Sequence, residues 1–221
     1  MNRGQIQTLV AGFCGDPSIS KFTVTQYNDA INRAQEQFAY DSKALFKDAS
    51  TYTVVDGTAA YDLPTDFWME KQVTHKGIEL NPVSRRTLQF DNGDDWTDDA
   101  GTPKKFMIDP EEGRKQIRLY PIPGANDAGA NLILTYYPVP AEMSGDSDVP
   151  LNSSTLMVQF HMGIANYAAY LLMKGIDITP EVAIKLGQLN RDYQASVDLA
   201  VQTFKNTATE IIKMRGQRRW F

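Results

Sequence analysis

Apolar residues recur along this chain with changing period, and the changes divide it into three zones. From Thr25 to about Lys47 no Gly or Pro interrupts the sequence, and Tyr27, Ile31, Ala34, Phe38 and Leu45 fall in steps of four and three. That spacing predicts one long helix with a single apolar face. Thr23, with Gln26 three residues on, has the form of a capping box at its start. Upstream, Gly12, Gly15, Asp16 and Pro17 break the chain, and a short helix is expected from about Gln5 to Ala11.

From about Ser50 to Met143 the pattern shifts to short β-type runs and holds most of the prolines. Thr51–Val55 and Ala60–Leu63 flank Asp56-Gly57, and Gln72–His75 and Ile78–Leu80 flank Lys76-Gly77. Both read as hairpin turns. Phe106–Ile108, Gln116–Tyr120 and Leu132–Tyr137 supply further strands of a small antiparallel β domain.

The third zone is helical again. A helix capped by Ser153 or Ser154 is expected to run to about Lys174, with Gly175 at its end and a stripe of Leu156, Phe160, Ile164, Tyr167, Ala168 and Leu171. Thr179-Pro180-Glu181 marks a second start: a capping hydroxyl, Pro in the first turn, then an acid at the positive end of the dipole. Val182, Leu186, Leu189, Tyr193, Val197, Ala200 and Phe204 then repeat at three- and four-residue intervals, and the helix is expected to pass Asn206.

The simplest packing is α+β. It is an antiparallel helical bundle of one long N-terminal helix and two C-terminal helices, with the small antiparallel β domain inserted. The corresponding segments are 1–49 for the N-terminal helical part, 50–145 for the insertion, 146–206 for the C-terminal helices and 207–221 for a terminal arm. No internal repeat is visible.

Composition narrows the function. The 221 residues carry a net charge of −5, which argues against a general binder of nucleic acid or acidic membrane. One cysteine, Cys14, permits no internal disulfide. The N-terminus lacks the form of a signal peptide, and the run Met162–Met173 is too short to span a bilayer. A protein free in the cytoplasm until it is assembled is expected.

The chemistry-bearing residues are sparse. Histidine occurs only at His75 and His161, neither with a partner at metal-ligand spacing. No nucleophile elbow, Walker loop or zinc-protease motif is present, so neither an enzyme nor a metal or cofactor is expected. The acidic stretch Asp91–Asp99 misses the EF-hand order because Gly93 comes too early, and it reads as a solvated loop. Gly124–Ala130 reads as a hairpin turn, since no helix follows to receive a phosphate.

The C-terminus contrasts with the rest. Lys205, Lys213, Arg215, Arg218 and Arg219 face a single acid, Glu210, and the chain ends in Trp220-Phe221. Three readings stand: a solvated tail, an anchor whose aromatics fill pockets on a partner while its arginines pair with acids, or a nucleic-acid contact.

One ordered series remains. It runs Tyr61-Asp-Leu-Pro-Thr-Asp-Phe67, Gly101-Thr-Pro-Lys-Lys-Phe106, Ile117-Arg-Leu-Tyr-Pro-Ile-Pro123, Leu134-Thr-Tyr-Tyr-Pro-Val-Pro140, Asp148-Val-Pro150, and the helix Phe160–Leu172. This series resembles the head-to-tail connector or adaptor proteins of tailed bacteriophages, those of short-tailed phages in particular, from about Thr25 to Phe204. The resemblance implies a structural virion protein at the head–tail interface. About twelve copies would form a cyclic ring beneath the portal protein, continue the channel through which genomic DNA passes without specific binding, and offer a platform to nozzle or fibre proteins of the tail. Lys213, Arg215, Arg218, Arg219, Trp220 and Phe221 would then form the arm that reaches the portal. The alternative is a DNA-binding or genome-packaging accessory protein that uses the same basic tail.

Overall fold

A computed structural model describes residues 1–111, 114–153, 158–177 and 179–217. The chain packs as two compact units, one of Met1–Leu45 with Val139–Phe221 and one of Phe46–Pro138.

In the first unit the N-terminal zone is split. Helix α1 spans Arg3–Cys14, and its cap Asn2 forms a reciprocal box with Gln5. It ends at Gly15, which takes φ 64°, a left-handed conformation that glycine reaches at no steric cost. Helix α2 spans Val24–Ser42 and opens with the Thr23–Gln26 box. It stops at Lys43, also left-handed at φ 50°, so Leu45 lies beyond the helix it was expected to stripe.

Between the two helices Asp16 organises the chain. Its carboxylate is buried and accepts from the backbone N–H of Ser20, Lys21 and Phe22, and from the hydroxyls of Ser20 and Tyr27. The loop is therefore a built corner and not an interruption of one helix.

The second unit holds the strands. They are β1 (Lys47–Thr53), β2 (Ala60–Asp62), β3 (Phe67–His75), β4 (Ile78–Glu79) and β5 (Asn81–Pro82). After helix α3 (Arg85–Asn92) come β6 (Lys105–Glu111), β7 (Arg114–Tyr120) and β8 (Asn131–Pro138). They form two four-stranded sheets, ordered β1-β8-β3-β4 and β2-β7-β6-β5. All pairings are antiparallel except β5 with β6, which is parallel.

Strand β8 shows why the sheets pack face to face. Leu132, Leu134, Tyr136 and Pro138 are buried while the residues between them are not, the period of a half-buried strand. Leu132, Leu134 and Tyr136 share one core with Val54, Phe67 and Val73 of their own sheet region and Phe106, Ile117 and Leu119 of the other sheet. The next residues along β6 and β7, Met107 and Tyr120, point the opposite way and pack with Leu88 and Trp96. The unit thus has three layers: sheet, sheet, and α3 with the turn that follows it.

These observations correct the expected fold. The protein is α+β, but it has five α-helices and two sheets among its described residues, and it is not a bundle led by one long N-terminal helix. The physical reason at the N-terminus is the Gly15–Asp16 corner. In the β zone, Asp56-Gly57 does not close a hairpin. Gly57, at φ 72°, carries the chain from one sheet to the other, because β1 pairs with β8 and β2 with β7. The segment Gly124–Ala130 likewise passes between sheets.

The chain returns to the first unit through residues 139–151, which are clamped to α1 and α2. Arg3 donates to the Met143 carbonyl at 2.9 Å and to Asp146 at 2.7 Å. Asn32 accepts from Met143 N–H at 3.0 Å and donates to its carbonyl at 3.2 Å, and Gln35 donates to the Ala141 carbonyl at 2.9 Å. Helix α4 spans His161–Met173, while Ser154 and Leu156 of the helix expected there lie outside the described residues, and α5 spans Pro180–Gln217.

Candidate functional site

The candidate arm stands on α5, so its geometry begins with what holds that helix. Thr179 Oγ1 accepts from Val182 N–H at 3.3 Å, and Pro180 and Glu181 occupy the first turn. Leu189, Tyr193, Val197 and Ala200 are buried against α4 and α2. α4 and α5 pass close to one another at Gly163 of α4, where an added methyl would sit 2.6 Å from Cβ of Ser196.

Tyr193 fixes the register. Its ring stacks on Tyr167 with centroids 4.4 Å apart, and its hydroxyl donates to Asp41 of α2 at 2.5 Å. Burial, and then the bond to Asp41, push its phenol well above the ordinary range. Further along, Phe204 faces Phe160 at 6.4 Å. The helix continues to Gln217, which places Lys213 and Arg215 on α5. Arg218, Arg219, Trp220 and Phe221 lie outside the described residues.

Both histidines are buried. His161 is fully buried, and its Nδ1 lies 3.0 Å from the N-terminal amine, which donates to the neutral ring. Burial, and then the terminal charge, lower its pKa to about 4. His75 Nε2 lies 3.2 Å from Asp127 Oδ1, which also accepts from Lys76 at 2.8 Å. The Lys76 bond, against the cost of burial, holds the Asp127 carboxyl below its usual range. This contact ties the β3–β4 turn to the Gly124–Ala130 segment. Cys14 is buried, and burial pushes its thiol up to about 11.

The acidic stretch Asp91–Asp99 is not simply a solvated loop. Gly93, at φ 72°, turns the chain after α3, and the tight helical turn Asp94–Thr97 drives Trp96 beneath Tyr120. Asp99 accepts from the Tyr120 hydroxyl at 2.6 Å, and that bond, with burial, pushes the phenol up to about 12. Among the described residues no group of three or more His, Cys, Asp or Glu is placed to hold a metal ion, and no helix is long and apolar enough to cross a membrane.

Sequence reasoning missed the polar residues that shape the first unit, Arg3, Asp16, Asn32 and Gln35. Their partners lie in distant segments or in an irregular loop, and no local pattern announces them.

Comparison with known proteins identifies the class: the chain is a structural adaptor of a bacteriophage virion. The matching family model is that of the SU10 adaptor protein, over residues 1–220, and the chain belongs to that family. No curated protein matches it.

Proposed function

We propose that this chain is the subunit of a ring of about twelve copies that docks beneath the portal, continues the DNA channel and gives tail components a platform. The carrying observation is the family match over residues 1–220. The shape of α5 supports the arm. Its 38 residues span roughly 57 Å. Its described packing, from Val182 to Phe204, holds one part of it firmly. Lys213 and Arg215 follow on the same helix, and Arg218, Arg219, Trp220 and Phe221 continue the chain. Arginines beside terminal aromatics suit a partner with acidic, pocketed surface.

The test is to mix the protein with the portal of the same virus and image the particles by electron microscopy. A ring added coaxially is expected, and deletion of 213–221 is expected to abolish docking while DNA affinity stays negligible. No association at any salt concentration overturns the ring reading. Docking by the truncated chain overturns the arm. DNA binding that weakens steeply with salt would instead point to a packaging accessory.

A further inference from the structure

Three helices of the first unit, α1, α4 and α5, border a cavity of about 280 Å³. Its apolar walls come from Phe13 of α1, Met162 of α4 and Leu189 of α5. Met162 and Asn166 stand one turn apart on α4, and Lys185, Leu189 and Asp192 fall on successive turns of α5, so each helix turns one face to the cavity.

Asn166 is the residue whose burial the fold does not explain. It is 6% exposed, and its side chain makes no hydrogen bond among the described residues. A carboxamide carries donors and an acceptor, and burying it without a partner costs free energy. Because Asn166 lines the cavity, its amide is offered there. Lys185 and Asp192 also line it, and neither is in an ion pair among the described residues. Seven positions separate them on α5, about 10 Å along the helix.

Apolar walls, one uncommitted amide and a charge of each sign describe a ligand with an apolar body, a tip that both donates and accepts, and charged neighbours. A tyrosine side chain has this form. Its ring packs against Phe13 and the polarisable sulfur of Met162. Its hydroxyl donates to Asn166 Oδ1 and accepts from Nδ2, whereas an indole N–H only donates and a phenyl ring does neither.

We propose that this cavity is a docking site for a tyrosine of a partner polypeptide, with Asn166 reading the hydroxyl and Lys185 and Asp192 pairing with an acid and a base that flank it. The occupant is a polypeptide because two opposite charges about 10 Å apart match the residues on either side of one position in an extended chain, which advances roughly 3.3 Å per residue. The site lies within the first unit and depends on neither the ring nor the arm.

The test follows the methionine methyl resonances of the full-length protein as N-acetyl-tyrosinamide is added. A saturable shift of the Met162 methyl is expected, with N-acetyl-phenylalaninamide binding about fivefold more weakly, the worth of one hydrogen bond. Asn166→Leu keeps nearly the same shape and loses no hydrogen bond within the protein, and in it the two probes should bind alike. Short peptides with Glu and Lys on either side of the tyrosine are made in both orders. One order is expected to bind more tightly than N-acetyl-tyrosinamide, and the gain should vanish when Lys185→Gln is combined with Asp192→Asn. No shift at Met162, or equal binding of the two probes to the wild type, overturns the site. A preference that survives Asn166→Leu overturns the role of Asn166. No gain from either peptide overturns the polypeptide and leaves a phenolic small molecule as the occupant.

Discussion

The hydroxyl of Tyr27 donates to Oδ2 of Asp16 at 3.0 Å, and both residues are buried at the corner between α1 and α2. The bond joins the first buried position of α2 to the loop that separates the two helices. Burial alone would raise the Asp16 carboxyl. The hydrogen bonds from Ser20, Lys21 and Tyr27 outweigh it and hold the group below the ordinary carboxylate range.

Removing the hydroxyl tests this corner gently. Tyr27→Phe is expected to cost about 1 kcal/mol, the usual worth of one buried hydrogen bond. Asp16→Ala should cost clearly more, because it strands three backbone N–H groups and two hydroxyls at once. Denaturant unfolding of both variants decides the matter. Equal losses would mean that the backbone bonds to Asp16 contribute nothing.

Trp96 anchors the outer layer of the β unit. It is 5% exposed and packs with Leu88, Met107 and Tyr120. Trp96→Ala is expected to destabilise by about 3–5 kcal/mol, as for other large aromatic deletions in cores. Thermal unfolding monitored by near-ultraviolet dichroism measures it. A loss under 1 kcal/mol would show that α3 and its turn do not depend on this side chain.

Much of the helical pattern was legible in the sequence. The stripe Leu189, Tyr193, Val197 and Ala200 is buried as its spacing demanded, since a single periodic face seated on a core leaves a clear trace. Helix α3 left none. It has eight residues, only Leu88 turned inward, and Phe90 exposed, so its apolar positions carry no period. The break between α1 and α2 was legible at Gly12, Gly15, Asp16 and Pro17, but the build of the corner was not. Asp16 reads as a breaker, and nothing local reveals that its carboxylate gathers Ser20, Lys21, Phe22 and Tyr27. Arg3 meets Asp146 across 143 residues of sequence. The arm showed itself as a contrast of charge and aromatics. Its role depends on another molecule, and no pattern within one chain encodes that partner.

The α4–α5 crossing depends on the missing side chain of Gly163. A methyl there would approach Ser196 Cβ at 2.6 Å, well inside van der Waals contact. Gly163→Ala is expected to destabilise by about 1–3 kcal/mol through overpacking. Adding Ser196→Gly should recover most of the loss, because it removes the clashing atoms. A double-mutant cycle by denaturant unfolding reads the coupling. Independent, additive losses would show that the helices do not meet at this pair.

His161 gives stability a dependence on pH whose direction follows from its surroundings. Burial, and then the nearby terminal ammonium, lower its pKa from 6.5 to about 4 in the folded protein. Between those values the unfolded chain takes up a proton that the folded chain refuses, so acid favours unfolding. The contribution is intact above pH 6.5 and is lost progressively down to about pH 4. Asp16 adds to the loss as pH falls through the ordinary carboxylate range and below it, where the unfolded chain takes up a proton that the folded carboxyl refuses. Melting temperatures of wild type and His161→Gln across pH 4 to 7.5 separate the two. The wild type should fall more steeply than the variant between pH 6.5 and 4, even if the variant starts lower. Parallel curves would mean that the imidazole is free to protonate in the folded protein.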